Sequence, residues 1–145
     1  CIFCVTEEEA RPSKERLILF VGRLTLVMMN RYPYNNNHLL VAPRRHVPEL
    51  SDLGPEELTD LLAKVRDSIE IVRRESKPDG FNLGLNLGRV AGAGIEAHLH
   101  FHLVPRWNGD TNFMTVLADV RVVPEHLEAA FDRLLPYFNA MEDRV

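Results

Sequence analysis

The sequence predicts an α+β fold, an antiparallel sheet with helices packed on one face. Three features point there. Short apolar segments bounded by Gly, Pro and Asn recur along the chain. Only two segments carry the three-and-four apolar spacing of a helix. The order is hairpin, strand, helix, strand, strand, helix, which lacks the repeated crossover helices that a parallel sheet needs.

Each element has its own reason. Residues 6–15 are polar and hold Pro12, so they read as a loop or short turn. Residues 17–21 and 24–29 are apolar runs on either side of Gly22 and Arg23, a hairpin. Residues 30–37, NRYPYNNN, hold too much Asn and Pro for regular structure. Residues 38–42, HLLVA, form a strand stopped by Pro43, with Arg44, Arg45 and His46 in an exposed turn. Pro55 suits a first helical position, and Glu56 and Glu57 suit the positive end of the dipole. Leu58, Leu61, Leu62, Val65, Ile69 and Val72 form that helix's apolar stripe, and residues 77–80, KPDG, end it. Phe81, Leu83, Leu85 and Leu87 alternate with Asn82, Gly84, Asn86 and Gly88, the period of a half-buried strand. The glycines predict a close approach on that strand's other face. Residues 90–94, VAGAG, are a loop; 98–104 are a strand stopped by Pro105; 108–112 are a turn. Residues 113–117 and 120–123 add short strands, and Pro124 opens a last helix with the stripe Leu127, Ala130, Phe131, Leu134 and Leu135. With no repeat, low-complexity tract or linker, one domain is expected over residues 1–145.

The 145 residues carry 17 basic and 21 acidic side chains, a formal net charge of −4. A hydrophobic share of 46% and a charged share of 26% suit a soluble domain that buries a real core without disulfides. Net negative charge speaks against wrapping DNA or RNA, so no nucleic-acid partner is expected, while a small nucleotide needs only local donors. No apolar run approaches the ~18 residues of a membrane span. No membrane partner is expected, and with no signal-peptide apolar region the expected location is cytoplasmic.

Cys1 and Cys4 have the C-x-x-C spacing of a metal half-site or a redox pair. Five of the six histidines fall in two places, His38 with His46, and His98, His100 and His102. Side chains alternate along a strand, so HLHFHLV sets these last three on one face, roughly 6–7 Å apart. Leu99, Phe101 and Leu103 then point into the core. An imidazole row can be a polar face, a metal set or a catalytic row. Imidazole titrates near neutrality and can attack, accept a proton or donate one, which favours the catalytic row.

On these residues the chain resembles the histidine triad (HIT) nucleotide-binding proteins. HLHFHLV fits their signature His-φ-His-φ-His-φ-φ, with φ apolar, and NHLLVAPRRH is similar to the strand and turn beside the triad. YPYNNNHLLVAPRRH, GFNLGLNLG, EAHLHFHLVPRW and GDTNF look most similar to the prokaryotic diadenosine tetraphosphate phosphorylase-like branch. The resemblance implies a HIT-like fold, an antiparallel sheet of about five strands with a long helix and a C-terminal helix. It also implies a homodimer.

The same resemblance assigns roles. His100 would attack the α-phosphorus of an adenine nucleotide or dinucleoside polyphosphate, and water or inorganic phosphate would release the nucleotidyl group. A backbone carbonyl would hold the far N–H of His100. His102 and His38 would contact the phosphoryl oxygens and help protonate the leaving group. Asn30 would take the ribose, and Phe3 and the region of Val27 would form part of the base pocket. Cys1, Cys4, His46 and His98 would hold a structural zinc ion, with no organic cofactor.

The chain departs from many triad hydrolases at one place. Gly94 stands where a Gln precedes the triad. Amides of residues 91–94, around Gly92 and Gly94, would form an anion nest that seats inorganic phosphate. The expected reaction is then phosphorolysis of diadenosine tetraphosphate to ATP and ADP. Hydrolysis of dinucleoside polyphosphates or nucleoside phosphoramidates stays open, as does a nucleotide-binding module with little turnover. A metal-dependent hydrolase using the triad as ligands and a purely structural zinc protein are further readings. Arg106 follows the triad strand and, with Arg44, Arg45 and Arg89, is a candidate for distal phosphates. Glu96 shares the parity of the triad and is expected on its face.

Overall fold

The apolar runs flanking Gly22 and Arg23 form the expected hairpin, β1 (Ile18–Val21) and β2 (Thr25–Met29). The computed structural model describes residues 1–110 and 126–143. The strands expected at 113–117 and 120–123, and Pro124, lie outside the described residues. A bulge between Ile18 and Phe20 sets two steps of β1 against one of β2. It sends both Leu19 and Phe20 to the same core, while Ile18 packs on the other face.

β3 (Leu39–Pro43) pairs with β2 along its length. β4 (Gly80–Leu85) and β5 (Phe101–Arg106) complete the sheet in the order β1-β2-β3-β5-β4, every neighbouring pair antiparallel. The triad strand begins later than expected. His98, Leu99 and His100 precede the ladder, and Pro105 does not stop it but pairs with Phe81. A proline is tolerated where no ladder hydrogen bond needs its missing N–H. The in-out alternation nonetheless extends upstream of the ladder, because Leu99 and Leu103 are buried in the core.

β4 is an edge strand and differs from the half-buried expectation. Phe81 and Leu85 pack on the core, whereas Leu83 and Leu87 are exposed. The close approach expected at its glycines is absent: a side chain at Gly84 would meet no described atom.

Helix α1 (Pro55–Ser76) starts on Pro55, as expected, with the Glu57 carboxylate accepting the Gly54 N–H at 2.8 Å. It ends on Lys77 in the left-handed region, just before Pro78. Its buried face is rotated from the predicted stripe. Leu62 is 54% exposed, while Asp60, Lys64 and Ser68 are buried beside Leu61, Val65 and Val72. Partners explain the rotation. Asp60 accepts the Thr25 hydroxyl at 2.6 Å, and the Lys64 ammonium donates to the Glu142 carbonyl at 2.9 Å, with Asp60 and Asp143 nearby. Asp143 also accepts the Arg23 N–H at 2.7 Å, so closely that a side chain at Gly22 would collide with it.

Helix α2 (Leu127–Asn139) follows His126, whose carbonyl accepts the Ala129 and Ala130 N–H groups, and continues through Pro136. Both helices lie on one face of the sheet. There Leu61, Val65, Val72, Phe131, Leu134 and Phe138 meet Val27, Met29, Leu39, Val41 and Leu103. Full burial of each large apolar side chain contributes about 1.5–3 kcal/mol. The opposite face holds a smaller cluster of Phe3, Ile18, Leu26, Met28, Leu40 and Ala42, and this second layer supports the histidines.

Candidate active site and metal centre

The histidines gather where β3 meets the start of β5, on the sheet face away from the helices. His38 leads into β3, and its neighbour Leu40 sits opposite His102. His98 and His100 are buried, His38 is 1% exposed, and His102 is half-buried. Phe3 packs on His98 and His100 with ring centroids 5.0 and 4.8 Å away. Val27 does not join it. Its side chain belongs to the helix-side core, and alternation gives Leu26 and Met28 to the histidine face instead.

Hydrogen-bond polarity fixes the protons of this row. The ring Nδ1 of His100 lies 2.8 Å from the His98 carbonyl, which can only accept, so Nδ1 carries a hydrogen, and in the neutral ring the lone pair is on Nε2. This is the carbonyl contact the resemblance implied. At the other end the Tyr34 backbone N–H donates to His38 Nδ1 at 3.0 Å. Burial, then the neighbouring His102 and His100, pushes His38 down to about 3, and burial and His100 push His102 down to about 4. Both rings are therefore neutral at pH 7. With its Nδ1 accepting, His38 carries its proton on Nε2 and donates to His102 Nδ1 at 3.0 Å. The proton of His102 is left on Nε2. Among the described residues neither His100 Nε2 nor His102 Nε2 has a hydrogen-bond partner. One thus presents a lone pair and its neighbour an N–H, with ring centroids 5.0 Å apart. A lone pair at phosphorus and a donor at its oxygens are what nucleophilic displacement requires.

Asn30 touches this relay. Its carbonyl accepts the Tyr32 N–H at 3.0 Å, which turns its amide nitrogen toward His38 at 3.4 Å. Three of the four arginines expected to take phosphate are engaged elsewhere. Arg106 forks onto Asp110 at 2.7 and 2.8 Å and reaches Asn82 at 2.9 Å. Arg44 pairs with Glu7, and Arg45 with Glu57. The glycine loop uses its own donors. The amides of Ala91, Gly92 and Ala93 all bond carbonyls of Gly88 or Arg89, with Gly92 in the left-handed region and Gly94 beyond them in open space. Glu96 lies in a turn rather than on the strand, so parity does not place it with the triad. Its carboxylate caps the Arg89 N–H at 2.9 Å.

Two groups escaped sequence reasoning. Tyr34 stacks on His102, 5.8 Å between centroids at 7°, yet its loop reads as turn formers. An aromatic four residues before His38 was the available signal. Asp110 gathers Arg106, Asn35 and the Trp107 N–H, a convergence that no spacing reveals.

Behind His98 lies a second cluster. Cys1, Cys4, His46 and His98 bring their ligand atoms within 4.8 Å of one another. The cysteines are free thiols. The His98 ring Nε2–H donates to the Pro43 carbonyl at 2.8 Å, which leaves its Nδ1 lone pair for the cluster. That nitrogen is 3.1 Å from His46 Nδ1, 3.3 Å from the Cys1 sulfur and 3.8 Å from the Cys4 sulfur. Ligand bonds of about 2.0–2.3 Å in a tetrahedron give edges of about 3.3–3.8 Å. The donor set and its second-layer carbonyl therefore fit a closed, soft S2N2 metal site.

Residues 11–109 match the HIT domain family. The chain belongs to that family. An AP-4-A phosphorylase of Mycobacterium tuberculosis is 43% identical over 122 residues, covering 84% of this HIT chain and 63% of the relative. The HIT chain thus spans less than two thirds of that protein. An asymmetrical bis(5'-nucleosyl)-tetraphosphatase of Schizosaccharomyces pombe is 34% identical over 93 residues, 64% of this chain and 50% of its own. A zinc-bound histidine triad family protein of Mycobacterium smegmatis superposes with a TM-score of 0.68 at 26% identity, covering 86% of this chain and 84% of that one.

Proposed function

We propose that this chain moves the nucleotidyl group of a dinucleoside polyphosphate through His100, most directly from diadenosine tetraphosphate to inorganic phosphate. The observation that carries the reading is the exposed polarity of the row, a lone pair on His100 Nε2 beside the N–H of His102 Nε2. In the first step Nε2 attacks the α-phosphorus, the P–N bond forms and the bridging P–O bond breaks. The electron pair leaves on the departing polyphosphate. His102 Nε2–H, kept in place by His38, donates to the phosphoryl oxygens as charge builds there. A neutral imidazole gives up its last proton poorly, so these rings donate hydrogen bonds more readily than protons. That suits a polyphosphate leaving group, which departs as an anion, over the amine of a phosphoramidate. In the second step an oxygen of phosphate attacks, P–O forms, and P–N breaks to restore His100.

The 43% identity to an AP-4-A phosphorylase supports phosphate as acceptor. One observation favours water as the second reading: three amides of the glycine loop are already bonded within it, which weakens the nest. Asn30 would meet the ribose, while Phe3, wholly buried behind His98 and His100, would back the site from the core instead of touching the base. Zinc is the ion that two thiolates and two imidazoles suit best, in a scaffold role that fixes the segment carrying the His98 carbonyl. The reading includes a homodimer, since β4 leaves an open edge with Leu83 and Leu87 exposed. It also includes a cytoplasmic location; no helix among the described residues is long and apolar enough to cross a membrane. Diadenosine tetraphosphate offered with and without phosphate tests the reaction. ATP and ADP formed only with phosphate support phosphorolysis. AMP and ATP, or two ADP, formed without phosphate contradict it.

A further inference from the structure

The direction of the imidazole relay depends on a group outside the histidines. If His38 carried its proton on Nδ1, its Nε2 would accept, His102 would donate from Nδ1, and His102 Nε2 would turn a lone pair toward the phosphoryl oxygens. Two lone pairs would then face an anion, and the site would repel what it must stabilise. What prevents this is donation to His38 Nδ1, chiefly by the Tyr34 N–H at 3.0 Å and at longer range by the Asn30 amide at 3.4 Å. That amide lies in an irregular loop with no ladder to hold it. Next to it the Asn35 side chain ties the loop to the Pro105 carbonyl and Asp110, and the Tyr34 ring, 4.6 Å from the His38 centroid and stacked at 7° on His102, seats the amide itself. The ring bridges both members of the relay at once, although 62% of Tyr34 is exposed. So exposed a residue adds little to the core, and its placement against two functional imidazoles calls for another explanation.

We propose that Tyr34 is a positioning residue: its ring clamps His38 and His102 and holds its own amide on His38 Nδ1, which commits His102 to present Nε2–H to the substrate's phosphoryl oxygens. The phenolic hydroxyl takes no part in this, and the aromatic face is sufficient. For its kinetic consequence the inference rests on the nucleotidyl-transfer reading. Its structural content does not.

The test compares Tyr34→Ala with Tyr34→Phe. Imidazole 15N–1H correlation spectra of the substrate-free protein report which nitrogen of His38 and His102 bears the proton. The wild type and Tyr34→Phe should show single tautomers, Nε2–H on both rings, and Tyr34→Ala a mixture. With diadenosine tetraphosphate, Tyr34→Ala should lower kcat about 10- to 100-fold with KM little changed, as expected for misplaced catalytic groups, and Tyr34→Phe should restore it. An unchanged melting temperature in Tyr34→Ala separates this from a folding defect. Single Nε2–H tautomers retained in Tyr34→Ala overturn the inference, whatever the kinetics. A tautomer mixture in Tyr34→Ala of a chain whose wild type does not turn over upholds the positioning role and removes the enzymatic reading instead.

Discussion

His38 and His102 are neutral because they are buried among other imidazoles, and that neutrality has a cost in acid. Their folded pKa values, about 3 and about 4, lie below the ordinary 6.5. The unfolded chain therefore binds protons that the folded chain refuses. Stability is complete above pH ~6.5 and is lost as pH falls through the window toward those folded values. Denaturant unfolding at pH 7.5 and pH 4.5 should show the wild type losing about 2 kcal/mol more than His38→Asn over this interval. Equal losses would mean that His38 is solvated. At this scale the sequence was legible in residue type and spacing but not in partners. The three same-parity histidines marked the row, and C-x-x-C marked two members of the Cys/His cluster. Arg106 looked free to bind phosphate, and only folding sets it against Asp110. Glu96 looked aligned with the triad because the ladder was expected to start before Phe101, the residue at which it begins.

Helix α1 shows what periodicity hides. Its length, Pro55 start and Lys77 end follow from local chemistry, so they can be read directly. Its orientation depends on Thr25, Glu142 and Asp143, which lie far away in sequence, and these draw Asp60 and Lys64 inward while Leu62 turns out. Lys64 is 1% exposed, and its ammonium also sits 5.3 Å from the Phe20 ring centroid. Lys64→Met leaves Asp60 buried without its cation and should cost about 3–5 kcal/mol in chemical denaturation. Combining it with Asp60→Leu should recover part of that loss, because the orphaned charge is then gone. A near-neutral single variant would show that water reaches the pair. The alternation was likewise read correctly as a strand over residues 81–85, while residues 86 and 87 fall beyond its end. Its exposure was not legible, because edge position is a property of the sheet and not of the strand.

At the scale of the molecule two layers back the sheet unequally. The helix side holds the large core, and the histidine side holds the small cluster around Phe3, with Cys1 and Cys4 lying against His98 and His46. His98 joins the two clusters, since its ring enters the Cys/His group and its carbonyl accepts from His100 Nδ1. Purified protein should carry about one zinc ion per chain, and its chelation should lower the melting temperature by at least about 4 °C and expose residues 1–10 to proteolysis. Cys4→Ser should do the same. Absence of metal with an unchanged melting temperature would assign those thiols to packing alone. The account as a whole stands on the unprotonated nitrogen of His100. Rapid quenching during turnover of diadenosine tetraphosphate, followed by peptide mass analysis, tests this most directly. One adenylate on the peptide holding His100, lost in His100→Asn together with turnover, is the predicted result. Full turnover by His100→Asn, or the adenylate on any other residue, would contradict it.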